Sequence, residues 1–271
     1  MALGNRATRS IVAALAVPFV LAACFFGKFY FLAFTLVIGI GGFYEFSKMS
    51  EKKNALTVLA VGYAGITGII LNTYFRVIDQ THVILLVVLF TLVTELFRNK
   101  ESAINNAGAT LLGVLYPGLF AVVLGIREFY QSPELYVQGG YMIIAILISI
   151  WFCDSAAYFI GCAIGKHKLF PRVSPKKSWE GAIAGFFFSI IGFTLSKLVF
   201  FENISWMHAV ILGVIIGVAG QVGDLIESLI KRDAGIKDSS NIIPGHGGIL
   251  DRFDSLLFTA PFVYLYMYYF L

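Results

Sequence analysis

The stretch that decides the fold runs from Glu227 to Ser255, ESLIKRDAGIKDSSNIIPGHGGILDRFDS, with Asp224 just before it. It gathers acidic, basic, histidine and glycine residues between two long apolar segments. Ionisable groups at the ends of membrane spans are costly, so such a cluster indicates a functional site. The stretch therefore predicts a polar site carried by apolar, membrane-spanning helices.

The composition of the whole chain excludes an ordinary soluble domain. Of its 271 residues, 58% are hydrophobic and 13% are charged, whereas soluble domains carry about 25% charged residues. The three cysteines, Cys24, Cys153 and Cys162, lie in apolar runs without metal-ligand spacing. They are predicted to be small buried side chains rather than disulfide partners. The predicted class is an all-α, polytopic integral membrane protein.

Apolar runs near the length that crosses a bilayer, roughly 20 residues, occur about nine times. The predicted spans are 10–27, 29–47, 55–75, 82–97, 103–126, 140–164, 181–200, 207–230 and 253–271. The fifth contains Pro117-Gly118, which predicts a kink, because proline frees a helical carbonyl. We expect residues 1–100 to form an anchor region, with a dimer contact as one option, and residues 101–271 to form the catalytic region.

The distribution of positive charge predicts the orientation of these spans. Cytoplasmic segments of membrane proteins carry an excess of lysine and arginine. With nine spans and the N-terminus in the cytoplasm, all but four of the 20 lysines and arginines fall on the cytoplasmic side. The exceptions are Lys28, Arg76, Arg127 and Lys197. The long basic loops after the sixth and eighth spans are then both cytoplasmic.

The eighth span ends in a charged helical face. Asp224 and Ser228 are four residues apart, and Lys231 follows seven residues after Asp224, so the three share a broad face of a helix. A Glu227–Lys231 pair that only closes the helix end is the alternative interpretation. That alternative does not account for Asp224, which lies deeper in the apolar run, where a lone carboxylate is costly.

A second acidic face opens the last span. Asp251, Asp254 and Ser255 fall at helical spacing, directly after the turn Pro244–Gly248. The alternatives are a dipole effect at the helix start and an ordinary flexible turn. If these acids meet Asp224, they form a divalent-metal site of the kind that Mg²⁺ occupies, with one or two carboxylates and phosphate or water oxygens. The glycines allow backbone N–H groups to approach an anion closely.

The sixth span and the loop after it add a second set of polar residues. Asp154 lies in mid-span, four residues before Tyr158, and a structural hydrogen-bonded acid is the alternative to a metal ligand. Gly161 and Gly165 form a GxxxG close-packing face. In the segment 174–178, SPKKS, a proline is expected to fix a turn from which two lysines meet phosphate groups. A loop that only sets the topology is the alternative.

No nucleophile-and-base arrangement accompanies these residues. Phosphoryl or nucleotidyl transfer needs none when the attacking atom is already an anion, since positioning and charge neutralisation carry the catalysis. A cytoplasmic site with carboxylates, lysines and a glycine-rich turn suits that chemistry.

The segment from Ser228 to Asp254 closely resembles the signature of the phosphatidate cytidylyltransferases, also called CDP-diacylglycerol synthases. SPKKSWEG and the pair of Asp154 and Tyr158 are also similar to that family. The resemblance implies that CTP and phosphatidic acid give CDP-diacylglycerol and pyrophosphate with Mg²⁺. It further implies a multi-pass enzyme of the cell (inner) membrane, embedded in membrane lipid and often a homodimer, with no nucleic-acid partner and a site facing the cytoplasm.

Within that family framework, in-line attack of the lipid phosphate on the α-phosphate of CTP is the expected mechanism. The expected catalytic residues are Asp224, Lys231, Arg232, Asp251 and Asp254. The expected substrate-binding residues are Ser174, Lys176, Lys177, Ser178, Ser228, Lys237, His246, Gly247, Gly248 and Arg252. Asp224 and Asp251 are the expected Mg²⁺ ligands, with Asp154 a further candidate. A second ion, divalent or monovalent, is left open.

Two other functions fit part of the pattern. A secondary transporter would use an embedded acid such as Asp154 for ion coupling, but transporters place such charges near the midplane. Another Mg²⁺-dependent membrane phosphotransferase acting on a lipid phosphate would use similar cytoplasmic acids.

Overall fold

The computed structural model describes the backbone of residues 5–271 and the side chains of residues 11–271. Nearly all of its regular structure is helical, so the predicted all-α class is confirmed. The elements in chain order are α1 (Asn5–Phe26), α2 (Lys28–Glu51), α3 (Leu59–Phe75), α4 (Gln80–Arg98), α5 (Ala103–Gly118), α6 (Phe120–Arg127), α7 (Tyr136–Ile164), β1 (Lys168–Phe170), β2 (Ser174–Ser178), α8 (Trp179–Phe200), α9 (Trp206–Asp233) and α10 (Leu250–Phe270).

In the described part of the chain, six helical segments are long and apolar enough to cross a membrane. They are α2, α4, α5 with α6, α7, α8 and α9. The protein is therefore an integral membrane protein, although the predicted count of nine spans is not confirmed. The fifth predicted span is interrupted at Leu119, directly after Pro117-Gly118, where the kink was expected.

The chain divides into two compact units. The first comprises the described part of Met1–Glu128 together with Ile230–Phe253, and the second comprises Phe129–Leu229 with Asp254–Leu271. The expected division at residue 100, between an anchor and a catalytic region, concerns function and stays a prediction.

In the first unit, the end of α6 holds the turn between α1 and α2. The Arg127 side chain is fully buried. Its Nε donates to the carbonyl of Cys24 at 2.6 Å and its Nη2 to that of Phe25 at 3.1 Å. Because the last carbonyls of a helix lack intrahelical partners, the guanidinium caps α1. The backbone N–H of Lys28, which begins α2, donates to Glu128 Oε1 at 3.2 Å.

At the other end of the first unit, polar side chains connect several loops. Lys53 Nζ lies 3.3 Å from Asp233 Oδ1, at the end of α9. Arg98 Nη1 donates to the carbonyl of Leu56 at 2.7 Å, so the end of α4 contacts the loop after α2. The basic segments after α2, α4 and α9 therefore meet at one end of this unit.

In the second unit, α7 and α8 pack closely because glycines line their contact. A Cβ at Gly181 would lie 2.6 Å from the carbonyl oxygen of Ala157 and 3.1 Å from the Cα of Gly161. Gly181 therefore tolerates no side chain, and the expected close-packing role of Gly161 is confirmed.

The basic segment between α7 and α8 forms a β-hairpin, with Lys168 opposite Ser178 and Phe170 opposite Ser174. The expectation that a proline in SPKKS fixes the turn is wrong, because Pro175 lies within β2 and residues 171–173 form the turn. Proline has no N–H to donate and is tolerated in an edge strand. Lys176 and Lys177 therefore project from a strand rather than from a flexible turn.

Candidate functional site

The predicted site residues fall into two groups, one in each unit. The first group lines a cavity in the second unit, which we call the lysine–aspartate cavity. The second group surrounds the loop between α9 and α10, residues 234–249, in the first unit, and we call it the loop network. Asp224 belongs to the cavity and Asp251 to the loop network, so their joint metal site stays a prediction.

The lysine–aspartate cavity has a volume of about 280 Å³. Its polar lining comes from the second half of α7, strand β2 and the C-terminal half of α9. The polar lining residues are Asp154, Tyr158, Cys162, Lys176, Lys177, Ser178, Gln221 and Asp224. Five of the predicted site residues are thus brought together, although they come from three separate segments.

Asp224 has two side-chain partners near this cavity. Its Oδ2 lies 2.6 Å from Lys177 Nζ, and its Oδ1 accepts a hydrogen bond from Ser228 Oγ at 3.3 Å. The contact with Ser228 confirms that these two residues share a helical face. About a third of each of the Lys177 and Asp224 side chains is exposed. An ion pair this open is worth only about 0.2–1 kcal/mol, so both groups can rearrange around a charged ligand.

Ser178 has a local structural contact. It is the residue before α8, it is buried, and its Oγ accepts a hydrogen bond from the Gly181 N–H at 3.2 Å. A serine in this position stabilises a helix by satisfying one of its first N–H groups. Its predicted contact with substrate stays a prediction, as does that of Ser174 at the start of β2.

The cavity suits a magnesium ion. It offers two carboxylates, Asp154 and Asp224, together with open volume for water or phosphate oxygens. Mg²⁺ is bound in this way by one or two carboxylates plus substrate phosphates rather than by a full protein cage. In the part of the chain searched, no three His, Cys, Asp or Glu residues cluster as a metal site.

In the loop network, Asp251 is surrounded by donors. Its Oδ1 accepts from Lys231 Nζ at 2.5 Å. Its Oδ2 accepts from both the N–H and the hydroxyl of Ser239, at 2.8 and 2.9 Å, and from the N–H of Gly248 at 2.8 Å. The Gly248 N–H therefore points at a carboxylate in this structure, and its predicted contact with a phosphate stays a prediction.

These contacts set the acidity of Asp251, which precedes the predicted span 253–271. Burial favours the neutral acid, but the hydrogen bond from Lys231 and those from Gly248 and Ser239 outweigh it. They lower the pKa of Asp251 from 3.8 to about 2. Lys231 and Asp251 are only 10% and 5% exposed as side chains. Asp251 is thus buried, charged at neutral pH and held by its partners. A metal ion bound to Asp251 would have to share Oδ1 with Lys231.

Glu45, on α2, is fully buried in the loop network and was not predicted from the sequence. Its Oε1 accepts from Ser240 Oγ at 2.6 Å and from the Ile249 N–H at 2.8 Å. Its Oε2 accepts from Ser239 Oγ and from the Leu250 N–H, both at 2.9 Å. An acid within a predicted span was the signal that could have found it.

Gly248 shows how closely this network is packed. A Cβ there would lie 2.5 Å from Glu45 Oε1 and would also collide with the hydroxyl of Ser239. Its neighbour Gly247 has a φ of +83°, a conformation that favours glycine. The two glycines are therefore required by the packing of the loop itself.

The other predicted residues of the loop have local partners or face solvent. Arg252 Nε donates to the carbonyl of His246 at 2.8 Å, and Arg232 Nη1 donates to that of Ile236 at 2.9 Å. Asp254 Oδ1 accepts from the N–H of Ser255 at 2.7 Å. Lys237 is exposed. The predicted roles of Arg232, Lys237, His246, Gly247, Arg252 and Asp254 stay predictions.

Membrane helices, a cavity with paired lysines and aspartates, and a glycine-bearing polar loop suit the binding of phosphate groups at a membrane. The profile described as "Cytidylyltransferase family" matches residues 7–270. The chain therefore belongs to the cytidylyltransferase family and is a nucleotidyltransferase.

Three relatives illustrate the similarity. The chain is 32% identical over 250 residues to the phosphatidate cytidylyltransferase of Bacillus subtilis, which covers 88% of each chain. It is 40% identical to that of Staphylococcus aureus (strain COL) over 62% of this chain and 61% of the relative. It is 44% identical to that of Haemophilus influenzae over 55% of this chain and 53% of the relative.

Proposed function

We propose that this protein is a phosphatidate cytidylyltransferase, converting CTP and phosphatidic acid to CDP-diacylglycerol and pyrophosphate. The observation that carries the proposal is the pairing of Lys177 with Asp224 in a cavity beside Lys176 and Asp154, in a chain of the cytidylyltransferase family. A cavity of about 280 Å³ that is lined by both cations and acids suits a metal-bound triphosphate, whereas cations alone would suit any anion.

In the proposed reaction, an oxygen of the lipid phosphate attacks the α-phosphorus of CTP in line. A new P–O bond forms, the bond between the α-phosphorus and the bridging oxygen breaks, and pyrophosphate leaves with that electron pair. Lys176 and Lys177 hold phosphate oxygens as point charges. Asp224, with Asp154 beside it, would hold Mg²⁺, which neutralises phosphate charge when bound. No proton has to be removed from the attacking anion.

In the proposed reaction, the loop network contributes charged side chains and fixes their positions. Lys231 and Asp251 form a buried pair, and the family resemblance assigns this segment to the site. We infer that Asp251 shares in metal binding together with Asp224, as the sequence predicts, and that Lys231 then turns towards a phosphate. A second ion, divalent or monovalent, fits this arrangement.

The cell membrane, with the site on its cytoplasmic face, is the proposed location. The positive-inside rule supports it, and so does the first unit, where the basic segments after α2, α4 and α9 meet at one end. CTP is available on that side. A homodimer is proposed from the family resemblance, to be tested by the mass of the detergent-solubilised protein.

The test is turnover by purified protein in detergent micelles containing phosphatidic acid. We expect CDP-diacylglycerol and pyrophosphate in equal amounts, only with CTP and only with a divalent cation. Replacing phosphatidic acid by undecaprenyl phosphate, and CTP by a UDP-sugar, tests the alternative phosphotransferase. Product only in that second mixture would overturn the proposal.

A further inference from the structure

Glu45 connects two parts of the chain that are far apart in sequence. It lies near the end of α2, yet its carboxylate accepts four hydrogen bonds from residues 239–250. Two of the donors are backbone N–H groups, those of Ile249 and Leu250, at the start of α10. These N–H groups have no intrahelical partner, so the carboxylate of one helix caps another.

The cap is also joined to Asp251. Ser239 Oγ lies 2.9 Å from Glu45 Oε2 and 2.9 Å from Asp251 Oδ2. A hydroxyl has one proton to donate, so Ser239 couples the two carboxylates. Asp251 in turn holds Lys231. A continuous chain of contacts therefore runs from Glu45 through Ser239 to the Lys231–Asp251 pair.

Because its residues are buried, this series of contacts is sensitive to substitution. Glu45 is 0% exposed and Ser239 6% exposed. Loss of one partner in a buried polar network leaves the other donors unsatisfied, because no water replaces it. The loop would then settle elsewhere, and a misplacement of about 1 Å can reduce turnover about 100-fold.

We propose that Glu45 is a positioning residue, which fixes the 239–250 segment and, through Ser239, the place of Asp251 and Lys231. The inference rests on the proposed function only in that Asp251 and Lys231 serve the reaction. Glu45 itself is not proposed to contact substrate. It acts by holding the groups that do.

The first test compares Glu45→Ala and Glu45→Gln with Glu95→Gln. Glu95 is a matched control, since it is also a buried acid of the first unit, bonded to Arg98 and Asn106 and not to residues 239–250. We expect kcat/KM to fall about 100-fold in Glu45→Ala. Glu45→Gln should retain more activity, because its one remaining oxygen still accepts hydrogen bonds. The kcat/KM of Glu95→Gln should stay within about threefold of the wild-type value, even if its melting temperature falls as far as that of Glu45→Ala.

The second test separates Ser239 from its neighbour. Ser239→Ala and Ser240→Ala each remove one hydrogen bond to Glu45, but only Ser239 also contacts Asp251. We expect the larger loss of kcat in Ser239→Ala. Equal losses in the two variants would overturn the proposed route through Ser239.

Hydrogen exchange provides a readout that does not depend on activity. Amides in residues 237–250 should exchange about tenfold faster or more in Glu45→Ala, and unchanged in Glu95→Gln. Unchanged exchange in Glu45→Ala, or full activity in that variant, would overturn the inference. If the wild-type protein does not turn over CTP with phosphatidic acid, the proposed function fails instead, and the exchange result still decides whether Glu45 positions the loop.

Discussion

Lys177 Nζ lies 2.6 Å from Asp224 Oδ2, although the two residues come from a β-strand and a helix 47 positions later in the chain. The pair is partly exposed to the cavity. Its small intrinsic stability and its place beside Asp154 make it suitable for binding a ligand rather than for holding the fold.

Lys177→Gln should therefore lower activity far more than stability. The lysine supplies a positive charge to phosphate oxygens, and loss of one such contact costs about 10- to 1,000-fold in kcat/KM. Lys53→Gln is the matched control, because Lys53 also pairs with an aspartate, Asp233, but that pair is exposed and does not line the lysine–aspartate cavity. Steady-state kinetics, with the concentrations of CTP and phosphatidic acid varied in turn, would measure this loss of kcat/KM. Equal and small losses of kcat/KM in both variants would show that Lys177 serves membrane topology rather than the reaction.

If only one of the two acids binds the metal, Asp224→Asn and Asp154→Asn should differ in kcat and in the Mg²⁺ concentration that they need. We expect Asp224→Asn to lose about 100-fold or more in kcat, because the metal neutralises the phosphate charge. If Asp154 is a ligand, its variant needs more Mg²⁺ for half-maximal activity. If it only braces helices, the Mg²⁺ titration stays as in wild type while the melting temperature falls. Wild-type activity in Asp224→Asn would remove this residue from the site.

Asp251→Asn should lose both stability and activity. Replacing Asp251 takes the carboxylate of a buried ion pair away from the Lys231 ammonium, and removing one partner of such a pair costs about 3–5 kcal/mol. The double variant Lys231→Met with Asp251→Asn should recover part of the stability, since the buried lysine charge is removed and the amide oxygen can still accept from Ser239 and Gly248. It should remain inactive. A stable and fully active double variant would show that the pair is structural only.

The acidity of Asp251 predicts the pH range of its contribution. Its pKa is lowered from 3.8 to about 2, so its charge stabilises the folded protein fully above about pH 4 and progressively less as the pH falls towards 2. The shift corresponds to about 2 kcal/mol. The difference in unfolding free energy between wild type and Asp251→Asn should be constant from pH 5 to 8 and shrink below pH 4. A difference that changes near pH 6 would contradict the assigned acidity.

The sequence predicted those parts of the site that depend on local spacing. Asp224 and Ser228 lie one helical turn apart and do meet, and Gly161 does line a close helix contact. The apolar runs predicted the helices, with the break after Pro117-Gly118, because length and hydropathy decide which segments enter lipid. The predicted count of nine spans is not confirmed, since the apolar helices Ile11–Phe26 and Leu59–Phe75 are each only 10–17 residues long.

The contacts that sequence reasoning missed are long-range. Glu45 meets residues about two hundred positions later, and a single sequence contains no sign of that pairing. Pro175 was expected in a turn, yet the hairpin places it in a strand. Cys162 was expected to be buried with the other cysteines, but it is exposed and lines the cavity. That last difference is useful, because it provides a reporter group.

The most direct measurement is therefore the rate at which a maleimide labels Cys162, with and without CTP and Mg²⁺. Cys24 and Cys153 are buried, so Cys162 should react alone, and Cys162→Ser should remain unlabelled. If CTP binds in the lysine–aspartate cavity, saturating CTP should slow labelling about tenfold or more, whereas ATP should not, in line with binding-linked protection. An enzyme that turns over CTP while Cys162 reacts at its unprotected rate would contradict the placement of the reaction in this cavity.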